Sequence, residues 1–280
     1  MKKLLLPLAL AATALSAHAA GIHSGLLSYW DFEGNFEDSA AGLAGNASTV
    51  DDNGSAGSAV SIGSGGPLGS FGNFSRSGLG TENVVAVSDS ADVVAAGESL
   101  TISTWFTVNS FDQGWQGLIA HGEGSDYRIA RRGTDSVMGY AGGTGDIPGS
   151  AIGADVTGGG WHHVVAISEA GVSTRIWIDG ALVETGGVPT IADNGSGQLF
   201  IGGNPQGDGG STDVNQYRPW NGSIDDVAMW NRALTDLEVA QIYTAGQNGI
   251  PLGAMIPEPS TGLLGLLGLA LATRRRRQSD

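Results

Sequence analysis

Short runs of alternating apolar and polar residues dominate this chain. In the run Leu100 to Val108, Leu100, Ile102, Phe106 and Val108 fall on one face, with Thr101, Ser103 and Thr107 on the other. Trp105 shares the polar face, which predicts that this face too is partly covered. The clearest hairpin starts at Trp161-His162-His163-Val164-Val165-Ala166-Ile167, turns through Glu169-Ala170-Gly171 and returns as Val172 to Ile178. Asp179-Gly180 then predicts a tight type I′ corner, because glycine tolerates a positive φ. One helix is expected: Thr235 and Glu238 form a capping-box pair, and Leu237, Val239, Ile242 and Tyr243 follow at near-helical spacing before Gly246. Gly, Asn, Asp and Ser separate the runs, so the 47 glycines read as turns rather than as a fixed-period repeat. The pattern predicts an all-β antiparallel two-sheet sandwich with one short C-terminal helix.

The ends follow a different logic. Lys2 and Lys3, the apolar stretch Leu4 to Leu15 and Ala17-His18-Ala19 have the order of a cleavable signal peptide, here residues 1–19. Residues 20–249 are read as the sandwich and 250–280 as a tail. That tail runs from Pro257-Glu258-Pro259 through the apolar run Gly262 to Ala272 to Arg274–Arg277. A spanning helix needs roughly 20 apolar residues, so the strict run is short unless the stretch from Ile250 is counted. The arginines would stay cytoplasmic, leaving the domain outside.

With both ends set aside, the charge picture sharpens. Two lysines and four arginines lie in the terminal segments, as do Glu258 and Asp280. Residues 20–257 therefore hold 7 arginines, no lysine and 26 acids, a net charge of −19. Such a surface repels nucleic acid and anionic lipid and better suits divalent cations and neutral sugars. The chain contains no cysteine, which excludes disulfides, thiol nucleophiles and Cys-ligated zinc. The absence of lysine from this span excludes P-loop and Schiff-base chemistry there. There is no G-x-S-x-G elbow.

Several segments resemble laminin-G-like, concanavalin A-like jelly rolls. Leu27 to Glu33 with Asp38-Ser39 resembles their opening strand, and Leu100 to Val108 resembles an inner strand. Trp161 to Val164 through Trp177-Ile178-Asp179-Gly180 resembles their "WHHVa…lYvDG" hairpin. Leu199 to Gly203 and Gly222 to Thr235 resemble the two closing segments. The resemblance implies two packed sheets, a structural calcium ion, and a carbohydrate or protein ligand. The tail is similar to the PEP-CTERM sorting signal, which implies processing by an exosortase-type enzyme and delivery to the envelope or extracellular matrix.

Site expectations follow. The resemblance places the elements of Asp38 and Asp225 side by side, so these two acids are the expected calcium ligands; a turn cap and a solvated charge are the alternatives. Strand alternation sends Asp226 to the opposite face from Asp225. The same alternation stops His162 and His163 from chelating one ion, leaving one packed and one exposed. Concanavalin A-like glycosidases of the laminarinase type carry E-x-D-x-x-E on one strand, and Ile224-Asp225-Asp226-Val227 lacks both glutamates; no enzyme is expected. Aromatic and planar polar groups in loops are the parts that bind sugars. These make Trp115, Tyr127, Arg128, Tyr217, Arg218 and Trp220 the ligand candidates, with packing of the sheet edge as the alternative for each. Sequons at Asn46, Asn73, Asn194 and Asn221 read as coincidental. The function expected is a non-catalytic lectin-like module for exopolysaccharide. The alternatives are an adhesive matrix protein whose partner is another protein, and a divergent glycan-cleaving enzyme.

Overall fold

The computed structural model describes residues 21–40, 47–51, 60–74, 83–87, 99–111, 113–121, 126–143, 146–148, 160–191, 199–204 and 218–255. Residues 1–19, the expected signal peptide, and residues 256–280 of the tail lie outside the described residues. One compact unit spans Gly25–Pro251; the terminal segments form a second, in which Leu252–Met255 make a 3-10 turn.

Two antiparallel sheets build the larger unit. Sheet I contains β1 (Leu26–Trp30), β3 (Ser61–Ser64), β4 (Ser70–Asn73), β6 (Leu100–Phe106), β11 (His162–Glu169), β12 (Ser173–Ile178), β13 (Ala181–Thr185) and β15 (Ser223–Trp230). Its order is β13-β12-β11-β6-β15-β4-β3, with β1 also paired to β15. Sheet II contains β2 (Ala47–Asp51), β5 (Asn83–Val87), β7 (Gly117–His121), β8 (Tyr127–Arg131), β9 (Met138–Gly142), β10 (Asp146–Pro148) and β14 (Leu199–Ile201), in the order β10-β9-β8-β7-β14-β5-β2.

The inward faces make one core. Leu100, Ile102, Phe106, Val164, Ala166, Ile176 and Ile178 of sheet I meet Ile119, Ile129, Tyr140, Leu199 and Ile201 of sheet II. The hairpin forms where its alternation placed it, closed by a Val172 N–H bond to the Glu169 carbonyl at 2.9 Å. Asp179 and Gly180 have φ of 50° and 77°, the positive values of the expected corner.

Trp105 explains why the outer face of sheet I is covered. It is 2% exposed and stacks on Tyr243 of α1 (Asp236–Gln247), with ring centroids 5.9 Å apart. His163 lies against both rings, at 4.8 and 5.8 Å. Both reciprocal bonds of the Thr235–Glu238 capping box are present. Arg232 grips Glu238 with two bonds of 2.9 and 2.7 Å. The Thr101 hydroxyl donates to the Arg232 carbonyl and accepts from the Leu234 amide, which anchors the segment leading into α1.

Candidate functional site

One end of the sandwich is knitted from three segments. The loop from Phe111 to Gly117 leads into β7, and its backbone has few ladder partners of its own. The Trp115 amide donates to the Gly133 carbonyl at 2.9 Å, and the Trp115 carbonyl accepts from Asn204 Nδ2 at 2.8 Å. The Gly117 amide donates to the Arg218 carbonyl at 3.0 Å. Gln116, fully buried, accepts from the Gln113 amide and donates to the carbonyls of Ser110 and Pro219. Arg131 donates to the carbonyls of Asp135, Gln113 and Thr134, and its guanidinium lies 4.9 Å from the Phe111 ring centroid.

These bonds hold Trp115 at φ 60°, a left-handed conformation that costs a non-glycine residue on the order of 1–3 kcal/mol. The result is a half-buried indole pinned at both its amide and its carbonyl. The Arg128 guanidinium sits 4.7 Å from the ring centroid, within cation–π range. A rigid, partly exposed aromatic can take the apolar face of a sugar ring, while Arg128, 7% exposed, is buried against the indole.

The six expected ligand residues divide. Trp115 and Arg128 come together, and Arg218 joins the same end, half-buried at φ 40°. Tyr127 and Trp220 do not face a ligand. Tyr127 is 2% exposed in the core, stacked on His121 at 5.4 Å. Trp220 is 1% exposed, donates its Nε1–H to the Thr107 carbonyl and meets Phe106 and Phe111 edge-on. Tyr217 lies outside the described residues, as does the Gly-Asp-rich stretch after Asn204.

The expected carboxylate pair is not brought together. Asp38 Oδ1 caps the amides of Tyr29 and Ala40 at 2.7 and 2.9 Å, across β1 from β15. Tyr29 pairs with Ala228, three residues beyond Asp225. That is roughly 10 Å along the strand and two strand spacings across, too far for calcium bonds of about 2.4 Å.

Asp225 has different neighbours. β15 pairs with β4 up to Ile224 and with β1 from Val227, and a bulge against β6 falls between Asp225 and Ala228. Asp226 sits in that bulge at φ 53° and accepts from the Tyr29 hydroxyl. The bulge breaks the expected alternation and brings both carboxyls to the side away from the core. Asp225 is 1% exposed, and its Oδ2 has no hydrogen-bond partner. Burial, then Asp226, with Glu33 and Asp31 beyond, pushes its pKa up to about 8. Among the described residues, no group of three or more His, Asp or Glu side chains is arranged to hold a metal ion.

His163 is buried against Ser103 Oγ, at 2.9 Å from its Nε2, and burial lowers its pKa to about 3. His162 is half-buried rather than exposed, because Asp179 Oδ2 holds its Nδ1 at 2.8 Å. The expectation of one packed ring holds, and the second is partly covered. Two features gave no sequence signal: the Arg131 clamp, and a buried His121–Asp126 pair at 3.0 Å. Of the described sequons, Asn221 is 8% exposed and bonded to Ser110, and Asn73 lies in β4.

Similar solved structures carry the same architecture. Domain 4 of AbnA, an extracellular arabinanase from Geobacillus stearothermophilus in complex with arabinotriose, is 16% identical. The match covers 78% of this chain and 98% of that one, with a TM-score of 0.58. The binding domain of Paraclostridial Mosquitocidal Protein 1 is 15% identical over 80% of this chain and 53% of that one, TM-score 0.58. A botulinum neurotoxin type C structure, whose cell entry depends on two ganglioside molecules, is 15% identical over 81% and 53%, TM-score 0.57. The chain thus spans about half the length of the toxin chains it matches. At these identities the likeness establishes the jelly-roll fold. No curated protein sequence matches. Residues 256–278 match the PEP-CTERM protein-sorting motif, which indicates export, exosortase processing and envelope sorting. Residues 79–240, more than half of the chain, match the Concanavalin A-like lectin/glucanases superfamily, and the chain belongs to that superfamily.

Proposed function

We propose that this protein is a non-catalytic lectin-like module that binds carbohydrate, an exopolysaccharide, at the Trp115 end of the sandwich after delivery to the outer envelope or matrix. The pinned, half-exposed Trp115 with Arg128 over its ring carries this reading. A strained backbone held by the Gly133 carbonyl and the Asn204 side chain points to a functional demand on the indole's position. The sorting motif fits a protein retained among extracellular polymers, and an arabinotriose complex of a structurally similar domain supports the ligand class.

A glycan array probed with the exported protein tests the reading. Specific binding to a polysaccharide, lost in Trp115→Ala with the melting temperature unchanged, is the expected result. No glycan bound, or binding unaffected by Trp115→Ala, overturns it; reducing-sugar release would make the module an enzyme.

A structural calcium ion is part of the proposal, with Asp225 as the one carboxylate ligand kept from the expected Asp38–Asp225 pair. Its support is the buried, unpartnered Oδ2 of Asp225 among like charges, which a cation would satisfy. Backbone carbonyls and water would complete the oxygen shell that calcium takes. Bound there, the ion would neutralise the Asp225 carboxyl.

A further inference from the structure

The Asp225 carboxyl lies under a cover. The tip of the β3–β4 hairpin sits directly over its Oδ2: a Cβ placed on Gly66 would be 3.4 Å from that oxygen, 3.0 Å from the Phe71 ring and 3.3 Å from the Trp161 ring. The Phe71 and Trp161 rings meet edge to face, with centroids 5.4 Å apart, and complete the cover. A metal site needs an entry path, and a cation reaches a 1% exposed carboxyl only if part of this cover moves. The hairpin is the part built to move. β3 is the outermost strand of sheet I, and β4 pairs with β15 only through Asn73 and Gly72. β15 leaves β4 after Ile224 and takes up β1 at Val227, so Phe71 and Ser70 have no strand on that side. Glu33, exposed and just past β1, supplies an acceptor in its place, and its Oε1 takes the Ser70 amide at 2.7 Å. Between them, Gly65 and Gly69 turn the tip at φ of 83° and 131°, and from Ser64 to Ser70 only Leu68 is buried. A segment with so few ladder bonds and so little buried apolar surface opens at lower cost than the core strands.

We propose that the β3–β4 hairpin is a flap, hinged where it joins β15 and latched at its tip by Glu33, whose opening admits a cation to Asp225. The cation step rests on the calcium reading above, whereas the flap stands on the geometry of the hairpin alone. Opening breaks the exposed Glu33–Ser70 bond, parts Phe71 from Trp161 and lifts Gly66 off the Asp225 Oδ2. The pairing of Asn73 and Gly72 with β15 stays intact. An ion held under the closed flap exchanges only as fast as the flap opens, and water is kept from it in between.

The chain has no cysteine, so Asp225→Cys places a single thiol beneath the flap. Its reaction with dithionitrobenzoate is followed in urea below the unfolding transition, with and without Glu33→Ala. Ala166→Cys, on fully buried β11 core, reports global unfolding for comparison. Expected are labelling of Asp225→Cys far faster than of Ala166→Cys, nearly independent of urea because little surface is exposed, and roughly five- to tenfold faster without the Glu33 latch. Labelling as slow as that of Ala166→Cys, as steep in urea, or unchanged by Glu33→Ala overturns the flap. Terbium, which takes the same oxygen ligands as calcium, is then mixed with the cysteine-free protein and its tryptophan-sensitised emission followed. Emission that builds faster in Glu33→Ala than in the parent supports entry through the flap, since losing an acid would otherwise slow a cation's approach; an equal or slower rate overturns that entry path. No terbium bound at all removes the calcium reading and with it the cation step, while the labelling decides the flap.

Discussion

Replacing Asp225 by Asn removes a charge and little else, so it isolates the cost of that charge. The carboxyl has a folded pKa of about 8 against 3.8 unfolded, so between those values the native state holds a proton that the unfolded chain has released. Stability therefore falls as pH rises across that window, by at most about 1.36 kcal/mol per unit. His163 works in the opposite sense. Its folded pKa of about 3 lies below the unfolded 6.5, so stability rises with pH between them. His23, lowered by burial, adds in the same direction. The opposing slopes largely cancel between about pH 4 and 6.5, and above 6.5, among the described groups with shifted pKa, Asp225 sets the slope up to pH 8. Raising the pH from 6.5 to 8 should cost at most about 2 kcal/mol, or roughly 4–8 °C of melting temperature for a domain of this size. Calorimetry at fixed ionic strength measures it. Asp225→Asn should flatten the decline and melt above the parent at pH 8. Calcium at a hundredfold excess over its Kd should add about 2.7 kcal/mol to the parent and nothing to Asp225→Asn. An unchanged melting temperature from pH 6.5 to 8 in calcium-free buffer, identical in both proteins, would refute the assignment of a buried carboxyl held protonated.

Two further outcomes follow from α1. Burial alone would raise the pKa of Glu238, but the Arg232 guanidinium and the Thr235 cap outweigh it and bring it down to about 2. Its contribution is present above about pH 4.5 and is lost as pH falls through 2; Glu238→Gln should cost about 1–2 kcal/mol in urea unfolding at pH 7 and less at pH 3. A Cβ at Gly246 would sit 2.3 Å from the Trp105 ring, so Gly246→Ala should lower stability by about 1–3 kcal/mol despite alanine's better helix propensity. A stabilised Gly246→Ala in the same unfolding experiment would mean that α1 does not press on sheet I.

The fold was legible because its determinants are local. The β11–β12 hairpin needs only period-two alternation and a turn, and α1 needs only Thr235, Glu238 and the apolar residues after them. Trp105, standing on a face that was otherwise polar, announced that this face is covered, though not that α1 covers it. The site was harder to read because it depends on register and on which way a loop side chain turns. Trp115, between Gly114 and Gln116, and Trp220, between Pro219 and Asn221, both stand in short polar segments between apolar runs. One is pinned outward by Gly133 and Asn204, and the other is drawn into the core by the Thr107 carbonyl, 113 residues away. No local pattern distinguishes them.

The acids teach the complementary lesson. Placing Asp38 near Asp225 required only that β1 and β15 be neighbours, which they are. What separates the two carboxyls is the register, with Tyr29 opposite Ala228 rather than Asp225. Placing Asp226 away from Asp225 required an unbroken strand, and β15 is broken there. It must be, because the strand exchanges β4 for β1 as its partner at that point, and a bulge with a positive φ lets the ladder restart. The same break brings two carboxyls to one side and leaves the Asp225 Oδ2 buried without a partner. A covalently uninterrupted Asp-Asp pair in a regular strand would divide its charges between two faces. Here the change of partner concentrates them, and that gives a cation a reason to bind in a chain that has neither disulfides nor, in its core region, a lysine.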